Sequence, residues 1–198
     1  MEMAKGKDVA SLLNEYITLS EKFKVHILLG VAKGVKELHD KQLVHGDIKC
    51  KNILLDKEYK EEEPFPTPKL CDFGLTGQKG KEFKDDVHKG TLGYLPSEFF
   101  TSSGFSPATD IFAIGMTLYE LLSKKTPFYN YTVKEKNRAQ RNHEIPDLSL
   151  IKNLKDIKEE NQEKYIELFR KCTEQNVTNR IKITDLITEI ENIYKSLK

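Results

Sequence analysis

Cysteine is scarce in this chain, with three in 198 residues. Cys50, Cys71 and Cys172 lie far apart and are odd in number, which argues against a disulfide framework or a zinc site and for a reducing compartment. Cytoplasm is therefore the expected location. Long apolar runs are also missing. None approaches the roughly 20 residues of a membrane-spanning helix, and Met1-Glu2-Met3-Ala4-Lys5 lacks the apolar core of a secretory signal. Net charge is nearly absent: 32 Lys and Arg against 31 Asp and Glu leave +1, so neither nucleic acid nor a membrane is an expected partner. What remains is a 38% hydrophobic, 32% charged composition, long enough for one domain with a sizeable core.

Helical periodicity dominates. From residue 20 to about 41, Val25, Leu28, Leu29, Ala32, Val35 and Leu38 recur at helical spacing behind Ser20, a plausible N-cap. A shorter helix is predicted over Asp8 to Glu15. Ser106-Pro107 opens a helix whose body, Ile111 to Tyr119, is apolar nearly all round and should form the centre of the core. Further helices are predicted over 133–141, 160–173 and 184–197. Two short apolar runs, 52–55 and 69–71, read as small strands flanking a loop. The loop holds Glu61-Glu62-Glu63 and three prolines, which exclude regular structure. The expected fold is mainly α: a helical bundle with one or two small β-hairpins.

One run carries chemistry: His45-Gly46-Asp47-Ile48-Lys49-Cys50-Lys51-Asn52, followed by Asp72-Phe73-Gly74. Either piece alone is common and usually a turn; their ordered conjunction is not. Together they resemble the catalytic loop and metal-binding motif of eukaryotic-type protein kinases. Gly90-Thr91 to Glu98 resembles the end of an activation segment, and Asp110 to Gly115 the start of the central helix. The resemblance implies the C-terminal lobe of a kinase over residues 1–198. It divides into a hinge-like stretch at 1–8, a catalytic loop at 43–52, an activation segment at 72–98 and a helical subdomain at 107–198. It further implies that Asp47 orients the substrate hydroxyl and accepts its proton, and that Lys49 reaches the transferring phosphate. Asn52 and Asp72 would be oxygen ligands for Mg2+, and ATP the phosphate donor. Thr91 would face the substrate. His45, Phe73, Gly74, Asp110 and a buried Glu98–Arg180 pair would be structural anchors. Glu2, Ala4, Asp8 and Leu54 would line the adenine and ribose site, with Met1 at the gatekeeper position. A flexible Lys/Gly tail is the alternative reading of those first residues. The histidines at 26, 39, 88 and 143 show no ligand spacing and read as ordinary surface or helix residues.

The departures matter as much. Gly46 stands where many kinases carry an arginine that meets an activation-loop phosphate, and no serine, threonine or tyrosine lies between Thr76 and Thr91. Both imply control without phosphorylation of that loop. Pro96-Ser97-Glu98 replaces the usual Ala-Pro-Glu. No G-x-G-x-x-G occurs, and no strand lysine for the phosphates is recognisable. The expected function is that of a serine/threonine kinase, closest in type to the tyrosine-kinase-like group, weak or inactive as these residues alone. A pseudokinase-like binding module, or a lobe completed in trans, is the alternative. The expected partner is a protein substrate or docking partner, with self-association through an exposed lobe interface.

Overall fold

The computed structural model describes residues 6–16, 18–78, 90–101, 104–152, 154–155 and 157–197. Seven helices are found among them: α1 (Val9–Glu15), α2 (Glu21–Asp40), α3 (Pro107–Ser123), α4 (Val133–Arg141), α5 (Ser149–Lys152), α6 (Glu159–Cys172) and α7 (Ile183–Ser196). Four short strands make two antiparallel pairs. β1 (Leu43–Val44) pairs with β4 (Gly77–Gln78), and β2 (Ile53–Leu55) pairs with β3 (Pro68–Leu70) in the register Ile53 to Leu70. Among the described residues no helix is long and apolar enough to cross a membrane.

The helix boundaries follow from local chemistry. Asp8 caps α1 through the Ser11 amide, and Ser20 caps α2 through the Phe23 amide. Ser106 and Thr109 exchange hydrogen bonds in a capping box that starts α3, with Pro107 in its first turn. Every residue of α3 from Thr109 to Leu122 is buried, as its all-round apolar sequence requires. α2 packs on α3 and α7, and α3 packs on α6.

α3 and α6 approach closely at Gly115. A Cβ there would fall 2.7 Å from the Cys172 Cβ and 3.0 Å from a Thr173 methyl. Gly115→Ala should therefore destabilise the fold by about 1–3 kcal/mol, since overpacking outweighs the better helix propensity of alanine. A thermal melt at or above the parent midpoint would contradict this.

The same architecture places the chemistry-bearing loops. The segment from Leu43 to Asn52 leaves the end of α2 and passes over the first turn of α3. β2, β3 and β4 then carry the chain through Asp72 and on to Gln78. The stretch Gly6–Asp8 runs beside β2: the Gly6 amide bonds to the Leu55 carbonyl, and the Leu55 amide bonds to the Lys7 carbonyl.

Candidate active site

The site is built outward from Asp110, on the first turn of α3. Its side chain is 1% exposed, and each carboxylate oxygen accepts a backbone amide at 2.9 Å, one from His45 and one from Gly46. The α3 N-terminus supplies a favourable dipole for this buried charge. His39 Nε2 adds a third contact at 2.9 Å. Asp110 thus fixes the backbone just before Asp47.

The Asp47 carboxylate lies at the centre of three polar side chains. Lys49 Nζ donates to it at 2.6 Å, the Thr91 hydroxyl at 2.6 Å and Asn52 Nδ2 at 2.8 Å. Lys49 also donates to the Thr91 hydroxyl. Burial alone would raise the Asp47 pKa, but the hydrogen bonds from Lys49, Thr91 and Asn52 outweigh it and hold the carboxyl below its usual value. Asn52 Nδ2 also closes the loop onto the Asp47 carbonyl at 2.8 Å.

Asn52 thereby commits its amide nitrogen and keeps its side-chain oxygen free of hydrogen bonds from described residues. Asp72 is exposed and holds a left-handed backbone (φ 61°), with, among the described residues, only a long 3.4 Å bond from the Gly74 amide. A neutral amide oxygen and a free carboxylate are hard donors that suit Mg2+ bound mainly through phosphates. Among the described residues there is no cluster of three His, Cys, Asp or Glu side chains that would hold a metal alone.

His45 connects the two motifs. Its Nδ1 accepts the Asp47 amide at 3.3 Å and its Nε2 faces the Cys71 carbonyl at 3.2 Å, while the ring sits 5.3 Å from the Phe73 ring. Phe73 itself is 52% exposed on the face beside Asp72. Downstream, Arg180 forks onto Glu98 and also donates to the Ala108 and Glu174 carbonyls. Asp8 turns its carboxylate to the Ser11 amide and hydroxyl, and Leu54 is half-buried beside it in β2. Glu2, Ala4 and residues 79–89 lie outside the described residues.

Over residues 1–190 the chain matches the family described as the protein kinase domain. It belongs to that family. A probable leucine-rich repeat receptor-like protein kinase of Arabidopsis thaliana is 33% identical over 187 residues, covering 87% of this chain and 19% of that protein. The probable serine/threonine-protein kinase gdt8 of Dictyostelium discoideum is 36% identical over 141 residues, covering 70% of this chain and 10% of its own. The RGS domain-containing serine/threonine-protein kinase A of the same organism is 26% identical over 170 residues, covering 86% and 14%. The kinase chain thus spans under a fifth of the length of these relatives.

Three features of this kinase escaped the sequence. Glu120 is buried and accepts the Tyr94 hydroxyl at 2.7 Å and the Cys50 amide at 3.2 Å, joining the catalytic-loop segment to the segment after Thr91. Burial and the Glu120 carboxylate push the Tyr94 hydroxyl and the Cys50 thiol upward. The readable signal was there: Asp110 and Glu120 are the only charged residues in α3.

The histidine contacts are the second. His39 meets Asp110, His143 Nδ1 lies 2.6 Å from the Ser97 hydroxyl, and half-buried His26 bonds to the Pro66 carbonyl. They are structural partners, invisible to ligand-spacing arguments because their partners lie 40 to 71 residues away in sequence for His26, His39 and His143. His88 lies outside the described residues. Burial lowers the pKa of both His26 and His45. A lowered folded pKa means stability is full above the unfolded value of about 6.5 and is lost as pH falls toward the folded value. The urea midpoint should therefore drop between about pH 7.5 and about pH 5.5, and His26→Gln should flatten that slope.

Gly46 is the third. Its φ is +83°, and a Cβ would sit 3.3 Å from the Phe105 ring and 3.4 Å from the Leu75 Cβ. It is a backbone requirement as well as a lost arginine. Gly46→Arg should cost about 1–2 kcal/mol of left-handed strain, read by chemical denaturation. An unchanged midpoint would count against that account.

Proposed function

We propose that this chain is the catalytic half of a serine/threonine protein kinase. The observation that carries the reading is the Asp47 carboxylate, held by Lys49, Thr91 and Asn52, with the Cys71 amide just before Asp72 bonded to the Asn52 carbonyl. On this reading Asp47 accepts a hydrogen bond from the serine or threonine hydroxyl and aligns it for in-line attack. The oxygen–phosphorus bond to the acceptor forms as the bond to ADP breaks, and the hydroxyl proton passes to Asp47. Lys49 exchanges its contact with Asp47 for the transferring phosphate, and Thr91 keeps Lys49 within reach. Asn52 and Asp72 would hold Mg2+, which would neutralise the phosphate charge of ATP. Gly6–Asp8 beside Leu54 form the edge of the adenine and ribose site, with Glu2 and Ala4 just upstream. The cytoplasm is the proposed location.

Phosphoryl transfer depends on positioning and charge neutralisation, and these 198 residues contain no glycine-rich loop. Alone they should transfer little phosphate. With the N-terminal lobe of a related kinase fused ahead of Met1, Mg2+-dependent transfer from ATP to a protein hydroxyl should appear. A fusion that folds, binds nucleotide and transfers nothing would favour the second reading, a docking module without chemistry. That reading is supported by the exposed Phe73 ring, an apolar contact point whether or not chemistry follows.

A further inference from the structure

A pocket of about 240 Å³ lies behind the stretch that bears Asp8. Four parts of the chain wall it: that first stretch, α1 with the residue that ends it, β2, and the loop that follows β2. Strand alternation sets its position. Asp8 pairs with Leu54, so the neighbouring side chains of Lys7 and Leu55 fall on the opposite side, in the pocket. Neither Asp8 nor Leu54 lines it.

The floor is apolar and held from behind. Leu12 is 3% exposed and Leu55 1%. The Tyr59 ring stands nearly perpendicular to the Tyr16 ring at 5.2 Å and packs on Phe23 at 4.4 Å. Tyr16 is pinned in turn, because its carbonyl accepts Lys124 Nζ at 2.6 Å. Walls fixed in this way leave a ligand little ordering to do on entry.

The rim is charged and unbalanced. Lys7 Nζ bonds to Glu15 at 2.7 Å, which ties the first stretch to the end of α1. Glu58, on the same rim, is exposed and has no hydrogen bond or ion pair among the described residues. The hydrogen bond to Glu15 raises the Lys7 pKa, and the Glu58 carboxylate adds to it. Two carboxylates against one ammonium leave a net negative charge over an aromatic and aliphatic floor. Carboxylates and tyrosine faces both attract a cation, while the leucines reward an apolar body.

We infer that this pocket binds a small organic cation, a single ammonium carried on an apolar body the size of one ring. The body lies on Leu12, Leu55 and the Tyr59 ring. The ammonium lies at the rim, between Glu58 and the Tyr16 ring. Charge complementarity selects the cation, and the apolar floor selects an organic amine over a bare metal ion or a polyamine. The volume admits one ring with a short chain and excludes a folded partner. The inference stands apart from the phosphoryl-transfer reading, because binding here needs neither nucleotide nor Asp47.

The test is a titration of the 198-residue chain with phenethylamine, without nucleotide, followed by nitrogen–proton correlation spectra. Saturable shifts should gather at Lys7, Glu15, Tyr16 and Glu58. Phenethyl alcohol, the same body without the charge, should bind about tenfold more weakly. Glu58→Gln, a surface change, should weaken the amine by about three- to fivefold and leave the alcohol unaffected. Tyr16→Leu keeps the bulk and loses the ring face, and should weaken the amine as well. Far-UV circular dichroism of both variants should match the parent. Rising salt should weaken the amine and spare the alcohol. Absence of saturable binding, equal binding of amine and alcohol, or indifference to Glu58→Gln would overturn the inference. So would shifts centred on Asp8, Leu54 and Asp47, which would place the ligand on the other side of the strand. Tighter binding of spermidine than of phenethylamine would overturn it too, since the rim alone would then be the site.

Discussion

Asp47→Asn should lower phosphoryl transfer by about 10²- to 10⁴-fold in the lobe fusion, with nucleotide affinity nearly unchanged. The size follows from the hydrogen bonds around the carboxylate. Lys49, Thr91 and Asn52 all donate to it, and together they hold its pKa below the usual value despite burial. A carboxylate stabilised in this way is a weak base. On the proposed reading its contribution would be orientation: it would accept the substrate hydroxyl and take the proton late, once phosphorus–oxygen bonding has made that proton acidic. Asparagine keeps the shape and one acceptor oxygen. It loses the charge that draws Lys49 and turns part of the site into a donor. The two measurements are the rate constant of transfer and the ATP dissociation constant. A loss below about tenfold would remove Asp47 from the chemistry. An equal loss in nucleotide affinity would recast it as part of the binding site.

The fold was legible because its signals are local. Helix α2 starts where Ser20 predicts and α3 where Ser106-Pro107 predicts, since capping and periodicity act within a few residues. α5 was missed because four residues show no periodicity. The motif residues were legible by their order in the chain, and the structure brings Asp47, Lys49, Asn52 and Thr91 together as that order implied. What stayed hidden are the long-range polar pairs. Ser97 with His143 and Glu120 with Tyr94 join positions 46 and 26 residues apart, and no period or spacing announces them. Gly46 was read as a missing arginine, because a sequence shows which side chain is absent and not the left-handed backbone that excludes it.

Arg180→Ala should cost about 3–5 kcal/mol of folding stability, read from urea unfolding with the slope held constant. The arginine side chain is 1% exposed and satisfies four groups at once: both oxygens of Glu98 and the carbonyls of Ala108 and Glu174. It also stacks 5.3 Å from the Phe112 ring. Truncation leaves a carboxylate and two carbonyls without that donor, and opens a cavity between the end of the activation segment and α3. Arg180→Lys should recover little, because an ammonium cannot reproduce the planar fork. The combination of Arg180→Met with Glu98→Leu separates the two contributions. If the cost comes from the orphaned charge, the double variant should regain most of the stability lost in Arg180→Met alone. If it stays as unstable as the single variant, packing around Phe112 carries the cost. In that case Glu98–Arg180 is a geometric pin on the segment that ends at Glu98, not a source of stability.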